Sequence, residues 1–441
     1  MVIKRLRPAH RRGAVVIGVA GLLGALLLGT HRADPASTSP LAGSLASAFS
    51  SRPAPEPPVR LVDQAEPAPV PRDALQGSPE RRLIAVYRLV GAGQYEPALQ
   101  AVEALTRAYP TFRLAQLLRA DLMSARFAPL PAFGGGQSAL GDTGRTELQN
   151  LRDEARLRLR ALQQRPPEGQ LPAEFVSLPP TVPYAIAVDT SAARLYLFQN
   201  GPQGMQLVED VYVSVGKQGV DKTVEGDQRT PLGVYFTTDQ LDPRLLQERF
   251  GAGALPLNYP NAYDKLKGRT GSGILLHGVT SATYSRPPLD SDGCVAMANE
   301  DLVRLAQRLP QRDTPVVITR KIHWVSAEQR QQQASGTQGF SQAFAQWQQA
   351  RLNADLESFK ALYEQSGPAD GAAELRVRQR VAKPPTGIAD ISVLTWHDDE
   401  GKLVVTFKEL GTGPNGRDRL MRQYWQQSRG HWRIAAEGPV R

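Results

Sequence analysis

The chain has one cysteine, Cys294. A disulfide within it is excluded, and a lone thiol in an oxidising compartment is a liability. Histidine is also scarce: His10, His31, His277, His323, His397 and His431 are spread along the chain. One cysteine and scattered histidines do not make a ligand set, so neither a metal nor another cofactor is expected. No Lys/Arg stripe interleaved with aromatics stands out, which argues against a nucleic-acid partner. The net charge of +9 is misleading here. Lys4, Arg5, Arg7, Arg11, Arg12 and Arg32 all precede the first acidic residue, Asp34, so most of the excess sits in a short tail.

What the sequence does contain is 441 residues, too many for one ordinary core. Residues 13–30 (GAVVIGVAGLLGALLLGT) carry no charge and follow basic residues. They read as a membrane segment with a cytoplasmic tail. An uncleaved anchor is the favoured reading, with Ala46-Ser47-Ala48 as the alternative cleavage site. Either way the bulk of the chain is expected in the periplasm. Residues 1–32 form this tail and anchor, and 33–79 a Pro/Ala/Ser-rich linker.

Residues 80–165 read as a helical region. Leu83, Val86 and Val90, then Ala98, Val102 and Leu105, then Leu114, Leu118 and Leu122 keep helical spacing. Gly91-Ala92-Gly93 and Pro110 break it. The stretch resembles a tetratricopeptide-type hairpin, with at most one and a half repeats, and an ordinary packed helical pair is at least as good a reading. At Tyr184 the pattern becomes β-like: YAIAVD, RLYLFQ, VYVSVG, GVYFTT, GILLHG and PVVITR, punctuated by Gly and Pro. These place a mostly-β domain at 183–321. One helix interrupts it, with Asn299 as the expected N-cap and Leu302, Leu305, Ala306 and Leu309 on one face. In 335–441, the apolar positions from Phe340 to Tyr363 predict one long amphipathic helix, followed by strands near 391–396, 402–407, 420–427 and 431–437.

Cysteine acyl transfer needs a thiolate at the acyl carbon, a base or ion-pair partner, and donors for the developing oxyanion. His277 ends a strand-like run and precedes Cys294 by seventeen residues. A loop of that length can bring imidazole and thiol together across adjacent strands. Gly293 permits a tight turn that exposes the sulfur. Taken alone the pair is weak evidence: a lone thiol is more often a small buried hydrophobe, and a lone histidine a satisfied structural residue.

The stretch HGVTSATYSRPPLDSDGCVAM (277–297) resembles the signature of YkuD-type L,D-transpeptidases: His-Gly, a variable loop, then Ser-x-Gly-Cys and an apolar residue. YAIAVDTSAARLYLFQNG, VYVSVGK and GDQRTPLGVY resemble the family's opening hairpin, next strand and Thr-Pro-x-Gly segment, in the same order. The resemblance implies that Cys294 is the nucleophile, His277 its base or ion-pair partner, and the Gly278 carbonyl the group that orients the imidazole. It offers the Gly293 and Cys294 N–H groups for the oxyanion. Ser291 would support the loop beside Asp292, and Tyr284 would line the cleft. Asp292 stands where the family often has His, and Ala296 where it often has Arg, a cation that would position the donor peptide. The Ala-Met ending is more like the branch of cell-shape L,D-carboxypeptidases. The last hundred residues resemble an NTF2-like α+β fold, which some members of that branch carry.

The resemblance thus implies a cell-wall enzyme acting on peptidoglycan stem peptides. The first reading is an L,D-transpeptidase that forms a thioester from a stem tetrapeptide. The second is an L,D-carboxypeptidase or related amide hydrolase with the same Cys–His pair, and the third a non-catalytic wall-binding scaffold. The helical and NTF2-like regions are the expected surfaces for a protein partner or self-association.

Overall fold

The computed structural model describes residues 69–127, 132–135, 141–239, 241, 243–330, 338–364, 371–396, 401–412 and 414–440. The basic tail, the apolar run 13–30, residues 33–68 of the linker and His397 lie outside the described residues. Among the described residues no helix is long and apolar enough to cross a membrane. The chain divides into two compact units, 1–148 and 149–441.

The first unit is helical: α1 Arg72–Leu75, α2 Pro79–Gly91, α3 Tyr95–Ala108 and α4 Arg113–Ala125. Ser78 caps α2 by accepting from the Arg81 N–H at 3.3 Å, and Pro79 fills the first helical position. Gly93, at φ 73°, turns the chain between α2 and α3. Leu83, Val86, Ala98, Val102, Leu105, Phe112 and Leu114 are fully buried, which accounts for the helical spacing of apolar residues. A further helix, α5 Asp142–Gln163, contains the point where the two units divide.

The second unit is built on a nine-stranded sheet. Its strands are β2 Tyr184–Asp189, β3 Arg194–Gly201, β4 Gly204–Gly216, β5 Gly233–Phe236, β6 Ala254–Pro256, β7 Leu275–His277, β8 Leu289–Ser291, β9 Val295–Met297 and β10 Pro315–Thr319. They run in the order β5-β10-β2-β3-β4-β9-β7-β6, with β8 beside β4. Helix α6 Ala262–Leu266 precedes β7, and α7 Asn299–Arg308 follows β9. A short β1 (Leu171–Pro172) pairs with β11 (Trp324–Val325).

Alternate side chains of the central strands serve two cores. Ile186, Val188, Leu195, Leu197, Val316 and Ile318 join one with Leu302 and Leu305 of α7. Ala185, Ala187, Tyr196, Phe198 and Val317 join another with Leu394, Trp396, Val404 and Tyr424 of the C-terminal segment. A sheet buried on both faces reads as continuous apolar runs, as YAIAVD and RLYLFQ do.

The C-terminal segment holds α8 Gln338–Leu352, α9 Leu356–Ala361 and α10 Gly371–Val381. An antiparallel sheet follows in sequential order: β12 Ile388–Trp396, β13 Lys402–Glu409, β14 Arg419–Ser428 and β15 His431–Pro439. Residues 171–178 tie it to the nine-stranded sheet. Ser177 and Val393 exchange backbone hydrogen bonds of 2.9 and 2.8 Å. The single long helix expected from Phe340 to Tyr363 is two helices. Ala354 takes φ 56°, and Asp355 caps α9 by accepting from the Ser358 N–H at 3.1 Å. Apolar spacing continues across this break, so periodicity alone misses the cap.

Candidate active site

Cys294 and His277 come from adjacent strand ends. β7 and β9 are parallel, with Leu276 opposite Val295 and His277 opposite Ala296. Cys294 is the bend residue just before β9, and its thiol is hydrogen-bonded by the backbone of Leu275, two residues before His277 on β7. Seventeen residues of sequence separation close into a local pair.

His277 is 4% exposed. Its Nδ1 lies 2.6 Å from the Gly278 carbonyl. A carbonyl only accepts, so Nδ1 carries the proton and Nε2 keeps its lone pair in the neutral ring. The Phe250 ring meets the imidazole edge-on, with centroids 5.2 Å apart. Burial pushes the His277 pKa down from 6.5 to about 4, and Arg286 and Arg249 push the same way against the Gly278 bond. The ring is therefore neutral at pH 7.

The cysteine turn is fixed by its neighbours. Ser291 Oγ donates to the Cys294 carbonyl at 2.6 Å and accepts from the Gly293 N–H at 3.1 Å. That bond turns the Gly293 N–H inward, so it is not the free oxyanion donor expected from the sequence. Gly293 has φ 120°, and a Cβ there would sit 2.8 Å from the Arg229 carbonyl. The Thr-Pro-x-Gly segment thus packs beneath the cysteine turn. Thr230 Oγ1 accepts from the Gly216 N–H at 2.9 Å, and the Lys217 N–H donates to the Ser291 carbonyl at 2.8 Å. The separate sequence matches are one hydrogen-bonded assembly.

Cys294 is half-buried, and its thiol donates to the Gly273 carbonyl at 3.4 Å. Burial raises its pKa above the ordinary value. A Leu275 backbone bond, Arg249 and Arg286 lower it, and Asp292 raises it further. Exposed Asp292 is held by Lys217 Nζ and Gln228 Nε2, each at 3.2 Å. Among the described residues no three His, Cys, Asp or Glu side chains gather as a metal ligand set.

Two further expectations are corrected. Asn299 is not the N-cap of α7; Ala298 holds that position. The Asn299 carboxamide instead accepts from the Ala252 and Val279 N–H groups at 2.9 and 3.0 Å and donates to the Val279 carbonyl at 2.8 Å. It braces the loop around His277, because loop N–H groups on two sides compete for the same oxygen. Tyr284 is buried with Arg304 of α7 among its neighbours, and does not line an open cleft.

Residues 183–318 match the YkuD family, described as an L,D-transpeptidase catalytic domain. This segment is an L,D-transpeptidase catalytic domain. The YkuD-type domain spans β2 to β10 and contains Cys294, His277 and the turns around them. No curated protein matches the chain. Among solved structures, Bd1075 of Bdellovibrio bacteriovorus is 23% identical, with TM-score 0.48, covering 62% of this chain and 98% of its own. Pgp2 of Campylobacter jejuni, described as a helical cell shape determining protein, is 20% identical, with TM-score 0.47, covering 58% and 91%. An L,D-transpeptidase from Mycobacterium smegmatis is 13% identical, with TM-score 0.20, covering 31% and 58%.

Sequence reasoning missed Phe250, Asn299 in its bracing role, Arg249 and Arg286. Arg286 was within reach, as the only cation between His277 and Cys294. Arg249 and Phe250 belong to a single 3-10 turn, Glu248–Phe250, with no sequence motif.

Proposed function

We propose that the chain is a peptidoglycan-modifying acyl-transfer enzyme in which Cys294 attacks a stem tetrapeptide. The observation that carries this reading is the His277 ring: neutral, with Nδ1 bound to the Gly278 carbonyl and Nε2 left to accept a proton, on the strand beside Cys294. A raised thiol pKa and a lowered imidazole pKa describe a neutral resting pair. His277 then acts as a general base, not as a preformed ion-pair partner.

The steps follow. Nε2 takes the thiol proton as sulfur bonds to the acyl carbon. The Cys294 N–H, on the same turn, is the donor assigned to the developing oxyanion, with Gly293 engaged by Ser291. The intermediate collapses to a thioester as the terminal D-alanine leaves, its amine taking the proton from His277. An acceptor then attacks the thioester, giving its proton to His277 and restoring the thiol. With a diamino-acid amine as acceptor the reaction is L,D-transpeptidation; with water it is L,D-carboxypeptidation. Transpeptidation is the first reading. Ala296, buried where the family often carries arginine, favours the second.

The apolar run behind a basic tail supports export and anchoring to the inner membrane, with the enzyme in the periplasm. Three helices and a four-stranded antiparallel sheet support an NTF2-like reading of 335–441. The test is incubation of the soluble part with muropeptides and mass spectrometry of the products. Cross-linked dimers support transfer, and tripeptide with free D-alanine supports hydrolysis. No product from the wild type, indistinguishable from Cys294→Ala, rejects both.

A further inference from the structure

Two arginines approach the Cys–His pair without a carboxylate of their own. Arg286 Nη1 donates to the Asp290 carbonyl at 3.2 Å, and Nη2 to the Arg249 carbonyl at 3.4 Å. Asp290 leads into the turn that carries Ser291 and Cys294. Arg249 precedes Phe250, whose ring lies against His277. One guanidinium therefore touches the backbone on both sides of the pair. The Arg249 guanidinium lies 4.8 Å from the centroid of the Phe250 ring and is open to solvent. Neither arginine forms an ion pair among the described residues.

The Arg286 loop is also held from behind. The Tyr212 hydroxyl donates to the Arg286 carbonyl at 3.1 Å, and the Arg158 guanidinium lies 3.9 Å from the Tyr212 ring centroid. The Ser285 hydroxyl donates to Glu154 at 2.7 Å. Glu154 and Arg158 are themselves a buried ion pair at 2.9 Å. A loop fixed this way holds its arginine in place before substrate arrives, which lowers the ordering cost of binding.

Ala296 on β9 is apolar and buried, and the positive charge that acts on the pair comes from Arg286 and Arg249. That charge reaches the reacting groups: both arginines lower the thiol pKa against burial, and both add to burial in lowering that of His277.

We propose that Arg286, with Arg249 beside it, binds the free carboxylate of the substrate's C-terminal residue, the residue that leaves when the thioester forms. The proposal rests on the acyl-transfer reading above. A guanidinium has five N–H donors in a planar fork that matches a carboxylate, and Arg286 commits two of its nitrogens to backbone carbonyls. The enzyme then requires a chain that ends at the scissile residue, which makes it selective for tetrapeptide stems with a free terminus.

The test compares kcat/KM for a muropeptide tetrapeptide and for its C-terminal amide, in the full-length wild type, Arg286→Gln, Arg249→Gln and Arg286→Lys. The wild type should prefer the free acid by about 10- to 100-fold, the scale of a hydrogen bond to a charged group. Arg286→Gln should bring the ratio close to one, Arg249→Gln should lower it less, and Arg286→Lys should restore part of it. A wild type that processes acid and amide equally overturns the proposal and leaves the function reading intact. So does an Arg286→Gln variant that slows both alike, because a loop brace would do that. Processing of neither, with no adduct on Cys294, removes the function reading and this proposal with it.

Discussion

The active site and the C-terminal segment both bury titratable groups, and they treat them in opposite ways. In the C-terminal segment Glu409 is fully buried but bound by Arg351 at 2.8 Å and Arg380 at 2.7 Å. Arg380 also pairs with Glu437, which accepts from the Tyr363 hydroxyl at 2.8 Å. Burial alone would raise the Glu409 pKa, but the two arginines outweigh it, and the carboxyl stays below its usual range. At the active site, burial dominates. Among the described residues no ion pair or hydrogen bond joins a carboxylate or an ammonium to His277 or Cys294, and each moves towards its neutral form. Paired burial holds charge in place, and unpaired burial stores a proton that can move. The first builds a rigid segment, and the second builds a reaction centre.

The largest effect that tests this contrast comes from the histidine. His277→Ala should lower kcat/KM by about 1,000-fold, the scale of general-base catalysis. A loss below tenfold would mean that the thiol needs no base.

Glu409→Gln probes the other side. It leaves Arg351 buried without its counter-charge and Arg380 with Glu437 alone, and should cost about 3–5 kcal/mol in denaturant unfolding. Unfolding unchanged within 1 kcal/mol would mean the network is not held by charge pairing.

The pH profile comes next. Activity needs neutral His277, so kcat/KM should fall on the acid side near pH 4, not near the usual histidine value of 6.5. The stability sign agrees. An unfolded histidine takes a proton near 6.5, while the folded ring resists until about 4. The folding contribution is complete above pH 6.5 and is lost as pH falls towards 4. An acid limb at 6 to 7 that disappears in His277→Ala would contradict the burial argument.

Asp292→Asn should have the smallest effect. Asp292 is exposed and raises the thiol pKa only as a secondary influence after burial. The pH profile of iodoacetamide labelling at Cys294 should move slightly to lower pH. A shift to higher pH would reverse the assigned sign.

The sequence carried the strands and the reactive pair because these depend on local pattern and on a contiguous motif. YAIAVD and RLYLFQ give β2 and β3, and HGVTSATYSRPPLDSDGC brings His277 and Cys294 into one stretch. It was less legible wherever a long-range partner decides the outcome. The apolar residues on both faces of β2 and β3 signalled a second covering layer, yet nothing local says that β12 to β14 supply it. Asn299 looked like a cap because its sequence neighbours are helical, and its bonds go to Ala252 and Val279 instead. The sequence offers the Gly293 N–H as a free donor, but it is donated to Ser291 Oγ, a contact that no local pattern encodes. The break at Ala354 depends on one backbone conformation and one aspartate side chain, which apolar periodicity does not register.

The central claim is that Cys294 carries the acyl group while His277 moves the proton. Acid quenching of a single turnover with a muropeptide tetrapeptide, followed by peptide mapping, tests it directly. The account predicts a thioester of the tripeptide acyl group on Cys294, formed in the wild type, absent in Cys294→Ala and strongly slowed in His277→Ala. Product formation with no acyl group on Cys294, or an adduct that forms equally fast without His277, would contradict it.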